Sequence, residues 1–200
     1  VPPAVAVIPF TFFLRGDETL SLIGTTGGYL GALIIMPISA FLFLGPGFVN
    51  PTKLAVILLE LILFPLIASR FLLRIGMASR LHPIRGPITN WSFFLLTYTI
   101  VGLNRDLILG QPLSLLPVVL IAFASTFLLG WGIEKTGTLL HLPEKVLTSL
   151  VLLGTLKNYG LAGGLALALF SKKTSVPATV SAVFMIVYII WLQLKLKRNP

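Results

Sequence analysis

Lys157 and Asn158 stand inside residues 143–170, an otherwise apolar stretch long enough to cross a bilayer. Residues 146–153 lead in and residues 165–170 lead out. Between them runs Gly154-Thr155-Leu156-Lys157-Asn158-Tyr159-Gly160-Leu161-Ala162-Gly163-Gly164. Lys157 lies eleven residues after Val146, roughly 16 Å along a helix, which is about half-way through a hydrocarbon core of roughly 30 Å. An ammonium, an amide, the Thr155 hydroxyl and a run of glycines at that depth suit the holding of ions or small charged solutes rather than covalent chemistry. The pattern predicts a broken helix. Backbone unwinds at membrane depth only where protein or a water-filled cavity satisfies it, and discontinuous helices at the midplane are where secondary transporters place their sites. The bland alternative is a lysine that snorkels or pairs structurally within a bundle, but ionisable residues inside a membrane are functional by default.

Glu60 is the other ionisable residue at depth. It falls seven residues after Lys53 and ten before Arg70, where a lipid-facing carboxylate would cost several kcal/mol or stay protonated. Glu60 is therefore expected to face the interior or a cavity. Pairing with Lys157 and a protonated Glu tucked against the backbone are both open. Elsewhere the chemistry is thin. No Ser/His/Asp or paired-carboxylate constellation stands outside loops, so an enzyme is not expected. There is no Cys, hence no disulfide framework, thiolate metal site or Cys nucleophile. His82 and His141 lie in or beside loops without a partner at ligand spacing. Neither a metal site nor a cofactor is expected.

The elements that must position these residues are membrane spans. Hydrophobic residues make up 56% of the 200-residue chain and charged residues 10%, with mean hydropathy +0.99, against about 25% charged in soluble domains. The net charge of +9 could suggest nucleic acid, but the basic residues sit at the ends of apolar segments and form no continuous patch. They read as topology signals, with the lipid bilayer as partner and nucleic acid excluded.

In chain order, residues 1–14 are apolar, broken by Pro2, Pro3 and Pro9, and ended by Arg15-Gly16-Asp17-Glu18. They are too short to span and read as the second half of another broken helix. Val1-Pro2-Pro3 opens as if in mid-protein, so an N-terminally truncated chain is expected. Residues 19–44 form the first complete span, with Ser21, Thr25, Thr26 and a Gly27-Gly28/Gly31 cluster that allows close helix packing. Gly45-Pro46-Gly47 with Asn50-Pro51 marks a tight turn. Further spans are expected at 53–73, 87–103, 112–133, the broken 143–170 and 176–194, with Arg70, Arg74, Arg80, His82 and Arg85 in the connection after the second. Strict alternation with the C-terminus in the cytoplasm puts Arg15, Arg70, Arg74, Arg80, Arg85, Lys135, Lys145, Lys195, Lys197 and Arg198 inside and Lys53, Arg105, Lys172 and Lys173 outside, ten against four. Because cytoplasmic loops carry the excess of Lys and Arg, a multi-pass cell-membrane protein with a cytoplasmic C-terminus is expected.

Two stretches carry a resemblance. Residues 1–17, from Val1-Pro2-Pro3-Ala4 to Phe13-Leu14-Arg15-Gly16-Asp17, precede a span rich in Ser and Thr. Asn158-Tyr159-Gly160-Leu161-Ala162 is followed by Pro177 and a last helix. These resemble the crossing segments of the bile acid:sodium symporter superfamily, and the likeness extends over nearly the whole chain. The resemblance implies an all-α inverted-repeat transporter fold of ten helices in two five-helix repeats, whose fourth and ninth helices are broken and cross at the substrate and ion sites. Val1 then falls at the break of the fourth helix. Residues 1–44 become the end of the first repeat and 45–200 the second repeat of five transmembrane helices, with the first three helices missing.

The departures from that pattern are specific. Where the ninth helix of the family carries an acidic residue four positions before a Gln-Asn pair, this chain has Leu153, Lys157 and Asn158. Val7-Ile8 occupy the place of a sodium-binding Ser-Asn pair, and Met185-Ile186 the place of a His-Asn pair. Ser21 and Thr25 fall at hydroxyl positions of the family's polar shell. Taken together with the depth of Lys157 and Glu60 and the break at Pro9, these positions put Lys157, Asn158, Thr155, Glu60, Ser21, Thr25 and Pro9 along an expected substrate and ion pathway, one that the resemblance implies is stripped of sodium ligands. The leading expectation is a secondary transporter of a small organic anion, sodium-independent or proton-coupled, with Lys157 and half-helix N-termini facing the anion. Three alternatives stay open. A monovalent cation/proton antiporter would need a carboxylate at the crossing. An arsenite-type efflux permease would need a thiol, where Pro3 stands in place of that branch's Cys. A non-transporting membrane scaffold is the third.

Overall fold

The computed structural model describes residues 1–44 and 51–198; the turn expected at Gly45-Pro46-Gly47 lies outside the described residues. Among those residues the chain is helical, with one isolated antiparallel bridge as its only extended pairing. A short α1 (Val7–Phe13) is followed by the long α2 (Glu18–Leu44). The next span is built from α3 (Pro51–Leu58), a π-helical turn over Leu59–Leu63, and α4 (Phe64–Arg74). Then come α5 (Ala78–Leu103) and the short α6 (Arg105–Gly110). A 3₁₀ turn at Pro112–Leu115 opens another composite span of α7 (Leu116–Phe123), a π-helical turn over Ala124–Leu128, and α8 (Leu129–Leu139). The broken span is α9 (Glu144–Thr155) and α10 (Tyr159–Leu169), and α11 (Val176–Arg198) ends the chain.

Among the described residues, four helical stretches are long and apolar enough to cross a membrane: Glu18–Phe43, Thr52–Arg74, Pro112–Leu139 and Lys173–Lys195. Their outward residues, such as Ile23, Ile34 and Phe41 on α2 and Phe64, Ile67 and Phe71 on α4, are large, apolar and exposed. That is the pattern of helices bathed in lipid, and the protein is a multi-pass membrane protein. α9 and α10, of 12 and 11 residues, cover roughly 18 and 16 Å apiece, so neither crosses alone.

The span expected at 87–103 is not among these four stretches, and its helix has other bounds. Arg80, His82 and Arg85 were expected in a connection ending at Pro87, yet α5 begins at Ala78 and carries Pro83 and Pro87 inside it. Proline is tolerated within membrane helices because neighbouring groups re-satisfy the freed carbonyls, so the prolines did not stop this helix. The 112–133 span likewise runs on to Leu139.

Three helices end in the same way. After α1, Gly16 N–H donates to Thr11 C=O (2.8 Å) and Arg15 N–H to Phe12 C=O (3.3 Å), with Arg15 left-handed at φ 56°. The same pair of bonds closes α4 around Gly76 (φ 73°) and α8 around His141 (φ 54°). This is the Schellman arrangement, in which a left-handed residue lets two later N–H groups satisfy the last carbonyls. Asp17 then caps α2, its Oδ1 accepting from Leu20 N–H at 2.9 Å. The Arg15–Asp17 turn is pinned to the start of α9: Asp17 N–H lies 3.0 Å from Lys145 C=O and 2.8 Å from Ser149 Oγ, and Ser149 Oγ donates to Asp17 C=O at 2.9 Å.

Two cores result. The first gathers Ala4, Val7 and Leu14 with Val151, Leu152 and Leu156 of the α9 side and Met185, Tyr188, Ile189 and Leu192 of α11. The second joins Ala32 of α2, Leu54, Leu58 and Ile62 of the third span, and Leu165 of α10. The break between α9 and α10 is therefore where the chain passes from one core to the other.

Candidate functional site

The break consists of Leu156, Lys157 and Asn158. Leu156 is extended (φ −86°, ψ 101°) and Asn158 sits at φ −76°, ψ 76°. Lys157 C=O accepts from Tyr159 N–H at 2.8 Å, so Asn158 is the centre of an inverse γ-turn. Unwinding here frees backbone groups in a place where lipid offers no partner, and the N-terminal segment supplies them. Ala4 N–H donates to Leu156 C=O (2.8 Å) and Asn158 N–H donates to Pro2 C=O (2.9 Å). Pro3 and Lys157 thus face each other as an antiparallel pair. In this pairing the central residues exchange no hydrogen bond with each other, so Pro3 sits where its missing N–H costs nothing. The break at residues 156–158 lies inside the expected 155–160, and the N-terminal segment packs against it. The contact is made by Pro2–Ala4. Pro9, expected there, is exposed on α1.

α2 lies across the crossing on glycines. A Cβ on Gly28 would stand 2.5 Å from Pro3 Cδ, and one on Gly24 2.6 Å from Leu153 Cδ1. The polar residues of α2 follow the same face. Ser21 is fully buried, its Oγ 2.7 Å from Thr11 Oγ1, which also lies 2.8 Å from Val7 C=O. One turn on, Thr25 is buried and its Oγ1 has no hydrogen-bond partner among the described residues. Another turn on, Tyr29 accepts a hydrogen bond from Asn158 Nδ2. Asn158 Oδ1 accepts from Leu161 N–H (2.9 Å), capping α10.

Lys157 is half-buried, and its Nζ donates to Leu153 C=O at 3.1 Å. That carbonyl is the one the Lys157 N–H would have satisfied had the helix continued. The ammonium thus replaces a lost backbone donor at the negative end of α9. An ammonium has three donors, so Lys157 keeps capacity for an anion. Thr155 is buried with Oγ1 on Val151 C=O at 2.6 Å, and the Tyr188 hydroxyl lies close to its side chain, both beside Gly130. On the same flank the Tyr159 hydroxyl meets Ser125, Thr126 and Ser181. The oxygens at the crossing are thus hydroxyls and carbonyls. The chain's six acidic residues, at 17, 18, 60, 106, 134 and 144, are all remote from it in sequence.

The structure puts Lys157 and Asn158 at the break, with Thr155 just before it on α9 bonded to Val151 C=O; Ser21 and Thr25 lie farther along α2, about two turns and one turn from Tyr29, with Ser21 bonded to Thr11 and not to the break. Glu60 is not at the break: it is exposed on the π-helical turn of the third span rather than turned inward as expected; no ion pair or hydrogen bond joins it to Lys157 among the described residues. The inward face of that turn is taken by Ile62, which packs against α2 and α10. Tyr29, Tyr159, Thr126, Ser181 and Tyr188 were not anticipated. They converge from four separate helices, and no spacing in the sequence links them. No protein-family model and no curated protein matches the chain.

Proposed function

We propose that the chain is a secondary active transporter of a small organic anion, acting without sodium and with Lys157 supplying the positive charge at its site. The observation that carries this reading is the crossing itself. An interrupted span meets a second extended segment at membrane depth, where a half-buried ammonium, an asparagine and the first turn of α10 converge. A charge at that depth is costly unless it has work to do, and the partial positive charge of a half-helix N-terminus adds to that of Lys157 in favouring an anion. Membership of the bile acid:sodium symporter superfamily, the division into 1–44 and 45–200 as parts of inverted repeats, the cell membrane as location and a cytoplasmic C-terminus belong to the same proposal. The last is supported by the Lys/Arg asymmetry of the loops. Proton coupling through Lys157 and a fixed charge without coupling are the two modes it allows.

The test is uptake by the protein in liposomes under imposed gradients, with organic anions offered beside sodium and protons. Accumulation of an organic anion without sodium supports the reading; exchange of sodium for protons with no anion movement overturns it. A monovalent cation/proton antiporter is the second reading. The unpartnered Thr25 Oγ1 beside Ser21 favours it, and the absence of a carboxylate from residues 1–14 and 145–176 weighs against it.

A further inference from the structure

A cavity of about 160 Å³ opens at the far end of α9 from the crossing. Leu14, Glu134, Thr148, Val151, Leu152 and Lys195 are among the residues that line it, so it lies between the end of α1, α8, α9 and α11. Leu152 is fully buried, as are Val7 and Leu156, and these three belong to one core. Leu156 is one turn beyond Leu152, about 6 Å along the helix, and its carbonyl is part of the crossing. A single apolar layer therefore separates the cavity from the site. At the other end Lys195 Nζ donates to both Glu134 carboxylate oxygens, at 2.5 and 2.7 Å, and stands 5.3 Å from the centre of the Trp191 ring. This pair straps α8 to α11.

α8 has the features of a moving part. It begins at the π-helical turn Ala124–Leu128, and such turns kink a helix and are frequent at functional sites. Its packing on its neighbours runs through glycine: Gly130 meets Tyr188 and Thr155, Gly137 meets Leu147, and Gly154 of α9 meets Ile133. Each glycine gap seats one large side chain, so α8 leaves its neighbours only as a unit, in a discrete step out of these gaps. The strap is suited to opening and closing, because both its side chains are more than a third exposed and ion pairs in contact with water are weak.

We propose that α8 is a gate of the transport pathway, hinged at Ala124–Leu128 and latched to α11 by Glu134 and Lys195, with the cavity behind it as the vestibule through which solute passes between the crossing and water. The proposal rests on the transporter reading and names how its site is closed. The cysteine-free sequence makes the test clean. In the full chain in liposomes, Glu134→Cys with Lys195→Cys is bridged by a bifunctional thiol reagent long enough to span the replaced ion pair and reopened by reducing that reagent's internal disulfide. Organic-anion uptake falls about tenfold or more on bridging and returns on reduction, since closure steps gate turnover in transporters and enzymes alike; undiminished uptake by the bridged protein overturns the gate. A second measurement does not depend on transport. A Thr148→Cys reporter in the vestibule reacts with a charged, water-soluble thiol reagent about threefold faster or more when Glu134→Gln removes the latch, as a shift toward the open population demands. Equal rates with and without the latch overturn the proposal. If the reduced protein carries no organic anion, the transporter reading fails by itself, and the reporter rates still decide whether α8 opens.

Discussion

The side-chain amide of Asn158 donates to the hydroxyl of Tyr29 and at the same time accepts from Leu161 N–H at 2.9 Å. One residue therefore ties α2 to the break and starts α10. Asn158→Ala removes both bonds, and the lost cap alone costs about 0.5–2 kcal/mol. Tyr29→Phe removes the bond to α2 alone, leaving the cap in place. A double-mutant cycle between Asn158→Ala and Tyr29→Phe, followed by thermal unfolding in detergent, is expected to show a coupling of about 1 kcal/mol. Strict additivity would place the two groups apart.

The glycines of α2 and α8 give a second expectation. Gly28→Ala drives a methyl to within 2.5 Å of Pro3 Cδ, and a proline ring cannot turn aside, so the N-terminal segment lifts from the break. Gly130→Ala places a methyl on the Tyr188 hydroxyl. Overpacking of this kind costs about 1–3 kcal/mol. Tyr188→Phe deletes the colliding oxygen, so the Gly130→Ala/Tyr188→Phe protein should regain part of the loss. No such rescue is expected for Gly28→Ala with the same second change. Unfolding temperatures of the five proteins check both statements.

What could be read in advance depended on whether the signal was local. The broken span was legible because Lys157, Asn158 and a glycine run contradict the apolar segments beside them. The pairing of that break with residues 1–4 was legible only roughly, as Pro2, Pro3 and Pro9 all read as breakers. Pro2 and Pro3 lie at the crossing, whereas Pro9 sits within α1. Glu60 was misread because depth in a span does not say which face a residue takes. That face was set by Leu54, Leu58 and Ile62, which turn toward α2 and α10. The hydroxyl groups around Tyr159 and Tyr188 were invisible, since each is an ordinary Ser, Thr or Tyr until four helices bring them together. The extension of α5 back to Ala78 was missed because Pro83 and Pro87 read as stop signals, whereas the arginines beside them are good helix formers.

The left-handed residues at helix ends offer a local test. Arg15 and His141 occupy the position usually given to glycine, as Gly76 does after α4. A side chain there costs about 1–2 kcal/mol, partly offset by the greater freedom glycine brings to the unfolded chain. Arg15→Gly is therefore expected to stabilise by about 1 kcal/mol and His141→Gly by less, histidine being among the residues that tolerate this region best. Gly76→Ala should destabilise. Calorimetric or chemical unfolding of the three variants distinguishes these signs.

The last expectation separates the two jobs of Lys157. Where sodium-coupled relatives in the proposed family would place carboxylate, hydroxyl and amide, this chain has Leu153, Val7 and Ile8, none with a side-chain oxygen. Leu153 packs against Gly24 and Val7 is fully buried. The Leu153 carbonyl, which a cation could have used, is taken by Lys157 Nζ at 3.1 Å. The ammonium thus satisfies a carbonyl of its own helix at the break, and on the proposed reading organic-anion uptake should proceed equally in sodium-free and sodium-containing medium. Lys157→Met leaves a buried carbonyl without a donor, a loss of about 1–3 kcal/mol. Lys157→Gln keeps a donor of nearly the same reach but no charge, so it should unfold within about 0.5 kcal/mol of wild type while uptake falls about tenfold or more. Unchanged uptake in Lys157→Gln would assign the residue to the fold alone, and a strict sodium requirement in the wild-type protein would overturn the replacement of ion by lysine.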